Sequence, residues 1–244
     1  MIADRLNALV GLSFAMPLES PASWLTRAAL SQGTTVSRMA RYLGWVSRDL
    51  DRWFADFYSA GVPSDVPQLR RLHVAHRVML GLKTSGLACE RLLLFDGRQC
   101  RYRYCPRCLD TDPIPYFRIH WRFACWLYCP DHACLMRDSC PECHGFVRLP
   151  VSLVNAGPKG AGIAELSECA VCGYALSEAR AVPIGLNLAH DSPHEQMRYA
   201  NGRAVLAALY YGRFRLGSTG AHWPLRGLRT IDREGLIPSR LAEE

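Results

Sequence analysis

The sequence predicts a mainly α-helical fold with small β-ribbons: an N-terminal helix-turn-helix-like bundle, two ribbons and a C-terminal helix. Residues 1–85 contain no cysteine and repeat apolar side chains at helical spacing. Pairs of cysteines then concentrate between positions 105 and 172, and a second helical pattern runs from 193 to 211, closed by Gly212. We therefore expect three segments, at residues 1–90, 91–182 and 183–244.

Helix boundaries in the N-terminal segment follow from capping residues and glycines. Ser20 before Pro21 is typical of a helix start, and Gly33 ends that pattern. Ser47 is expected to cap the third helix, whose apolar side chains recur at i, i+3, i+4 and i+7. The expected helices run from 21 until Gly33, then over about 34–43, 47–58 and 68–82.

The second and third of these helices resemble a helix-turn-helix unit. Ala40 supplies the small residue, Gly44 the turn, and Leu50 and Trp53 the buried apolar positions. A DNA-binding unit of this kind places the start of its second helix at the base edges in the major groove.

Candidate nucleic-acid contacts on this third helix are Ser47, Arg48 and Arg52. Asp49 and Asp51 belong to the same helix and would repel phosphates. A small helical bundle that docks on protein is therefore the alternative interpretation.

Arginines alternate with tyrosines in a predicted hairpin further along the chain. The segment 92–104 indicates a strand, an Asp-Gly turn and a second strand. Arginine interleaved with aromatic residues suits a nucleic-acid or acidic-partner surface, and a solvated strand face is the other interpretation. The candidate contacts here are Arg98, Arg101 and Arg103.

Four C-x2-C or C-x2-H pairs predict two metal centres. Such a turn places two ligands within reach of one tetrahedral ion, so two pairs complete a site. Thiolates with one imidazole favour zinc, and four protein ligands leave no open position for water, as in structural sites. We expect two structural Zn²⁺ ions, held by Cys105, Cys108, Cys129 and His132, and by Cys140, Cys143, Cys169 and Cys172.

Other interpretations of the cysteines stay open at this level. The first pair could join the third pair instead of the second, and His144 is a substitute ligand. Disulfides would suit a secreted protein, but repeated C-x2-C pairs are more typical of metal sites. A thioredoxin-like motif needs one reactive pair on a βαβ unit and does not fit four pairs, and a catalytic zinc would keep one position for water, which a set of four protein ligands fills. The remaining cysteines are expected to be small buried residues: Cys89, Cys100, Cys125 and Cys134.

Charge and hydropathy indicate what kind of partner and which cellular compartment to expect. The formal net charge of +7 favours contact with an acidic partner such as nucleic acid. Lysine accounts for only two of the 29 basic residues; arginine suits bidentate contacts to phosphate, although GC-rich codon usage explains the bias equally well. The sequence has no apolar run long enough to predict a membrane helix. Because metal-type cysteines need a reducing interior, we expect a cytoplasmic location.

Two stretches carry the motifs of a known family. YCPRCLDTDPIPYFRIHWR (104–122) is followed in order by CPDH, CPEC and CAVC. The N-terminal pattern E-S-x-x-S-W-L-x-R is matched by Glu19, Ser20, Ser23, Trp24, Leu25 and Arg27. Together they resemble the TniQ family of transposition proteins over roughly residues 17–215.

This resemblance implies a non-enzymatic adaptor in transposition. It would link a target-recognition element, in some transposons an RNA-guided CRISPR effector complex with its guide RNA, to an AAA+ ATPase of the TnsC/TniB type that recruits the transposase. It also implies a homodimer and carries the eight metal ligands over to the residues named above, with no catalytic residue. The alternative is a zinc-containing helix-turn-helix protein that reads target DNA directly. A zinc enzyme would need an open metal position or a nucleophile–base pair, which the sequence pattern lacks.

Overall fold

The fold comes from a computed structural model that describes residues 2–7, 9–45, 47–59, 66–155, 157–159, 162–184, 193–215 and 221–237. Its α-helices in these ranges are α1 (Ile2–Asn7), α2 (Pro21–Ser31), α3 (Val36–Leu43), α4 (Leu50–Ser59), α5 (His73–Ser85), α6 (Cys89–Leu92), α7 (Pro106–Thr111), α8 (Pro193–Tyr211) and α9 (Leu228–Arg233). Its strands there are β1 (Phe95–Asp96), β2 (Gln99–Cys100), β3 (Tyr128–Cys129), β4 (Cys134–Leu135), β5 (Val154–Asn155), β6 (Gly162–Ile163), β7 (Arg213–Arg215) and β8 (His222–Pro224).

Helices α1 to α4 share one apolar core. The Ser20 hydroxyl caps α2 by accepting from the backbone N–H of Ser23 at 3.0 Å, as its position before proline predicts. Helix α3 ends at Gly44, whose φ of 76° is left-handed. Trp24 and Trp45 lie at the centre, with ring centroids 5.8 Å apart.

The third predicted helix starts later than its pattern suggested. Helix α4 begins at Leu50, and the Asp49 carboxylate accepts from the N–H of Arg52 at 3.2 Å. The Ser47 hydroxyl instead accepts from the N–H of Asp49 at 3.2 Å, in the turn before the helix. The prediction that Ser47 caps this helix is therefore wrong, because an aspartate in cap position lies closer to the helical run.

Helices α5 and α8 form the second core. The predicted fourth helix is a 3-10 helix over Pro67–Leu72 that continues as α5, three residues past the expected end. Helix α8 spans Pro193–Tyr211 as predicted and runs through Gly202 without a break. A Cβ on Gly202 would stand 2.0 Å from the carbonyl oxygen of Cys125, so this glycine permits close packing of the helix on the middle of the chain.

Four antiparallel two-stranded hairpins make up the sheet structure of the described ranges. Strand β1 pairs with β2 around the predicted Asp-Gly turn, with Phe95 opposite Cys100. Strand β3 pairs with β4, which brings Cys129 opposite Cys134. Around the cysteine pairs a third core gathers aromatic residues such as Tyr104 and Trp121.

The N-terminal motif is a buried polar network that joins α2 to the ribbon region. Glu19, fully buried, accepts from Arg27 Nη2 at 2.7 Å and from the Ser23 hydroxyl at 2.9 Å. The Ser23 hydroxyl accepts in turn from the backbone N–H of Phe117 at 2.9 Å, and the N–H of Ser20 donates to the carbonyl oxygen of Phe117 at 2.8 Å. This motif therefore docks the helical part on the segment between the halves of the first cysteine set.

The predicted fold class is confirmed: the chain is mostly helical, with small antiparallel hairpins and a C-terminal helix. The core around α5 and α8 draws residues from all three expected segments, and their boundaries stay a prediction. Across the described residues, no helix combines the length and apolar character needed to cross a bilayer.

Candidate metal centres

A helix start and a hairpin turn position the first set of ligands. Cys105 is the N-cap of α7, and its sulfur accepts from the backbone N–H of Cys108 at 3.4 Å. Pro106 occupies the first helical position, where its missing N–H has no consequence. Cys129 ends β3, and His132 lies in the turn before β4.

The first set has the dimensions of a tetrahedral site. His132 Nδ1 lies 3.6, 3.3 and 3.7 Å from the sulfurs of Cys105, Cys108 and Cys129. The sulfurs of Cys108 and Cys129 are 3.6 Å apart. Zinc bonds of about 2.3 Å to sulfur and about 2.0 Å to nitrogen give tetrahedral edges of about 3.5–3.8 Å. These four side chains therefore fit one zinc-sized ion.

Hydrogen bonds among the thiols of this set shift their pKa values in opposite directions. Hydrogen bonds with Cys105 and Cys129 raise the pKa of Cys108 far above the usual thiol value. Hydrogen bonding with Cys105 likewise raises the pKa of Cys129 to about 11. Hydrogen bonds from neighbouring cysteines lower the pKa of Cys105. A divalent cation among them would stabilise all three thiolates, which is how metal binding releases protons.

A neighbouring hydroxyl orients the histidine ligand. His132 Nε2 lies 3.5 Å from Thr111 Oγ1, and that hydroxyl donates to the carbonyl oxygen of Arg107 at 2.7 Å. A ring protonated at Nε2 suits this arrangement and leaves Nδ1 for a metal.

The second set is built from two similar turns. The sulfurs of Cys140 and Cys172 are 3.6 Å apart, and those of Cys143 and Cys169 are 3.8 Å apart. Within each set every pair of ligand atoms lies within 4.8 Å. The pairs therefore assemble in chain order, and the alternative that joins the first pair to the third is wrong.

A left-handed residue follows three of the four pairs. Ala133, His144 and Gly173 have φ values of 46°, 57° and 77°. The N–H of His144 donates to the carbonyl oxygen of Cys140 at 2.9 Å, and that of Gly173 donates to the carbonyl oxygen of Cys169 at 2.8 Å. His144 is exposed and stands outside the cluster, so it closes a turn and is not a substitute ligand.

The leftover cysteines are free, and one of them contacts the first set. All eleven cysteines are unbridged, which disagrees with the disulfide interpretation. Cys125 and Cys134 are buried as expected, whereas Cys89 and Cys100 are half-buried. The sulfur of Cys134 lies 3.5 Å from that of Cys105. Sequence reasoning missed this contact, although the hairpin register that opposes Cys134 to Cys129 produces it.

The candidate nucleic-acid contacts separate by burial. Ser47, Arg48, Arg52 and Arg98 are exposed, and Arg101 is half-buried. Arg103 is only 1 % exposed; its guanidinium donates to the carbonyl oxygens of residues 124 and 126, and burial lowers its pKa to about 10. The structure contradicts the prediction that Arg103 contacts a ligand, because this side chain is buried and its guanidinium bonds backbone carbonyl groups of the core.

A buried arginine that sequence reasoning did not single out underlies these contacts. Arg122, fully buried, contacts Asp49 Oδ2 at 3.0 Å through Nη2 and Asp51 Oδ2 at 3.3 Å through Nε. Burial raises the pKa of Asp51, and the Arg122 guanidinium opposes that rise. Tyr102 donates its hydroxyl to Asp51 at 2.6 Å. Both carboxylates that were expected to repel phosphates are therefore paired with a buried cation.

Comparison with known proteins identifies the family. A TniQ family model matches residues 15–136, which is half of the chain. No curated protein was found to match the chain. The matched range contains all four ligands of the first set and stops before Cys140, the first ligand of the second set. It also contains the buried Glu19 network, so the motifs and the family model agree on the same core. The chain belongs to the TniQ family.

Proposed function

We propose that this chain is a non-catalytic transposition adaptor. It would link a target-recognition element, such as an RNA-guided CRISPR effector complex with its guide RNA, to an AAA+ ATPase that recruits the transposase. The observation that carries the proposal is the family match over residues 15–136, which includes the complete first ligand set. TniQ membership indicates a transposition-associated accessory role, as an adaptor or a DNA-binding protein.

We propose further that each ligand set holds one structural zinc ion. The distances among the ligand atoms suit tetrahedral zinc, and three thiolates with one imidazole or four thiolates are typical of structural sites. Four protein ligands leave no coordination position for a reacting water. Both sets would then stabilise the surfaces that meet partners.

The second candidate function, direct reading of target DNA, has one observation in its favour. Arg52 in the first turn of α4, and Ser47 and Arg48 in the turn before it, are exposed where a helix-turn-helix protein contacts base edges. Asp51, on the same helix, is buried and faces Arg122. The start of the helix is thus less acidic at its surface than the sequence suggests.

One experiment with two arms separates these functions. In the first, the purified chain is mixed with the AAA+ transposition ATPase of its own element, loaded with a non-hydrolysable ATP analogue, and the ADP-loaded ATPase serves as control. In the second, duplex DNA binding is titrated with salt. An adaptor should co-elute with the ATP-state ATPase and bind DNA weakly, without sequence preference.

A direct reader should instead prefer its target by about a thousandfold or more and lose affinity steeply as salt rises. Absence of ATPase binding together with strong target preference would exclude the adaptor proposal. Analytical ultracentrifugation of the same preparation tests the implied homodimer and shows whether the partner binds one copy or two.

A further inference from the structure

We propose that a groove between α4, α6 and the β1–β2 hairpin binds the phosphodiester backbone of a nucleic acid. The groove has a volume of about 640 Å³. We call it the arginine groove after the five arginines that line it: Arg48, Arg52, Arg91, Arg98 and Arg101. The proposal deepens the proposed function, because it names the surface that would meet target DNA or guide RNA.

Three separate chain segments supply these arginines. Arg48 comes from the turn before α4 and Arg52 from α4 itself, Arg91 comes from α6, Arg98 lies in the turn of the hairpin, and Arg101 directly follows β2. The two groups of contacts predicted from the sequence, which lie about fifty positions apart, thus meet in one site. Convergence of distant arginines on one concave surface concentrates positive potential there.

Most of these guanidinium groups are available to a ligand. Within the part of the chain that the structure describes, Arg48, Arg52 and Arg98 form no ion pair with a carboxylate. Arg101 lies 3.9 Å from Asp138 and rests over the Phe146 ring, also at 3.9 Å from its centroid.

Arg91 is the exception and already has a carboxylate partner. It pairs with Asp232 at 2.9 Å. A ligand would therefore find three unpaired arginines and one held weakly.

The acidic residues of the lining do not cancel this charge. The two carboxylates that line the groove are Asp49 and Glu90, against five arginines. Asp49 is already paired with Arg122, whose charge comes from beneath the groove. A polyanion therefore meets a net positive surface.

The two walls of the groove are held together from below. Arg122 reaches Asp49 on the α4 side, and on the hairpin side it donates to the carbonyl oxygens of Leu94 and Arg101. The thiol of Cys100 lies 3.9 Å from the carbonyl oxygen of Arg48, directly between the walls. The arginines are thus mounted on a fixed frame, which reduces the entropy lost when a ligand binds.

The arginines and the size of the groove suit the repeated phosphates of a nucleic-acid backbone. The planar guanidinium offers paired donors that match phosphate oxygens, and each of the unpaired arginines can take a separate phosphate. A volume of about 640 Å³ falls within the usual range for binding clefts, roughly 300–1,000 Å³. An acidic protein segment is the competing ligand, and the test below separates the two.

The test compares two double variants that remove the same charge. Arg52→Gln with Arg98→Gln changes the arginine groove, and Arg70→Gln with Arg71→Gln changes two exposed arginines of the 3-10 helix before α5. Fluorescence anisotropy measures binding of labelled single-stranded DNA, single-stranded RNA and duplex DNA of one sequence over a range of salt. Circular dichroism and metal content check that both variants fold.

We expect the groove variant to lose about tenfold in affinity and to reduce the duplex salt slope by about 2, because two phosphate contacts disappear. The control variant should change affinity less than twofold. The probe that loses most affinity identifies the strand type that the groove binds.

Equal losses in both variants would overturn the proposal, since binding would then follow net charge alone. Unchanged oligonucleotide binding by the groove variant would also overturn it. If that variant instead loses binding to an acidic protein, the groove binds a protein and not a nucleic acid. ATPase co-elution is measured with the same proteins. If oligonucleotide binding does not depend on the groove but the ATPase still binds, the adaptor proposal is unaffected.

Discussion

The two ligand sets share their chemistry and differ in their surroundings. The first lies inside the family-matched range and is tied to the N-terminal helices through Phe117, whose backbone bonds with Ser20 and Ser23. Cys105, Cys108 and Cys129 are buried. The first set thus holds the junction between the ribbon and the helical part.

The second set shares the third core with the first, but the hydrogen bonds around Cys169 and Cys172 stay within its own loops. The N–H of Cys169 donates to the carbonyl oxygen of Tyr174, and the N–H of Lys159 donates to that of Cys172. Asn155 Nδ2 donates to the carbonyl oxygen of Cys169, so all three bonds lie within residues 155–174. Cys143 is half-buried, and the family match ends before this set begins. Two similar four-ligand clusters in one core therefore differ in what their neighbours bond: the first is next to the contact with α2, and the second is bonded within its own segment.

Loss of one ligand from each set should give the largest difference. Cys108→Ser should release the first zinc and destabilise the chain by more than about 4 kcal/mol, because metal loss exposes the junction with α2. Cys143→Ser should release one zinc and leave α2 to α5 folded. Metal analysis with hydrogen exchange of the α2 amides measures both effects.

Cys125→Ser is the matched control for this pair, since Cys125 is buried and belongs to neither set. It should retain two zinc ions. If Cys143→Ser abolishes protection of α2 as completely as Cys108→Ser does, the two centres are equivalent and the contrast fails.

Two arginine variants compare a buried ion pair near the N-terminal helices with a partly exposed one on the hairpin, without changing a metal-ligand candidate. Arg122→Met leaves Asp51 without its cation and should lower the free energy of unfolding by about 3–5 kcal/mol. Arg148→Met removes a partly exposed pair with Asp96 and should lower it by less than about 1 kcal/mol. Urea denaturation with zinc present measures both.

The pH dependence of Arg122→Met gives an independent check. Burial already raises the pKa of Asp51 above its ordinary value, and removal of the cation raises it further. The folded variant then holds a proton on Asp51 that the unfolded chain releases. The loss in free energy of unfolding, relative to the unsubstituted chain, should therefore grow as pH rises from about 4 to 8. A deficit that is constant with pH would show that packing, and not charge, explains the loss.

The two cysteine-rich clusters and most helices were predictable because their signals are local. C-x2-C spacing, a serine before a proline, and glycine after a helical run each act within one turn of chain, and Ser20 and Gly44 behave as expected. The pairing order of the ligand sets needed the structure, since spacing alone allowed another order.

Burial of arginines was not predictable from the same sequence. Arg98 and Arg103 look alike in an alternating pattern, yet one is exposed and the other donates to core carbonyl groups. Arg122 is buried because Asp49 and Asp51, some seventy positions earlier, meet it across the fold. Such long-range pairs determine which charges reach the surface, and a local pattern contains no information about them.

The smallest expected effects concern the left-handed residues that follow three of the four ligand pairs. Gly173→Ala should destabilise the second centre by about 1 kcal/mol, because its φ of 77° disfavours a Cβ. Ala133→Gly, at a φ of 46°, should stabilise the first centre by about 0.5 kcal/mol, the strain relieved less the backbone entropy lost. Ala175→Gly, at a φ of −69°, is the control and should destabilise slightly. Chelator competition at each centre measures the changes, and a loss of metal affinity in Ala133→Gly would mean that its Cβ packing outweighs its strain.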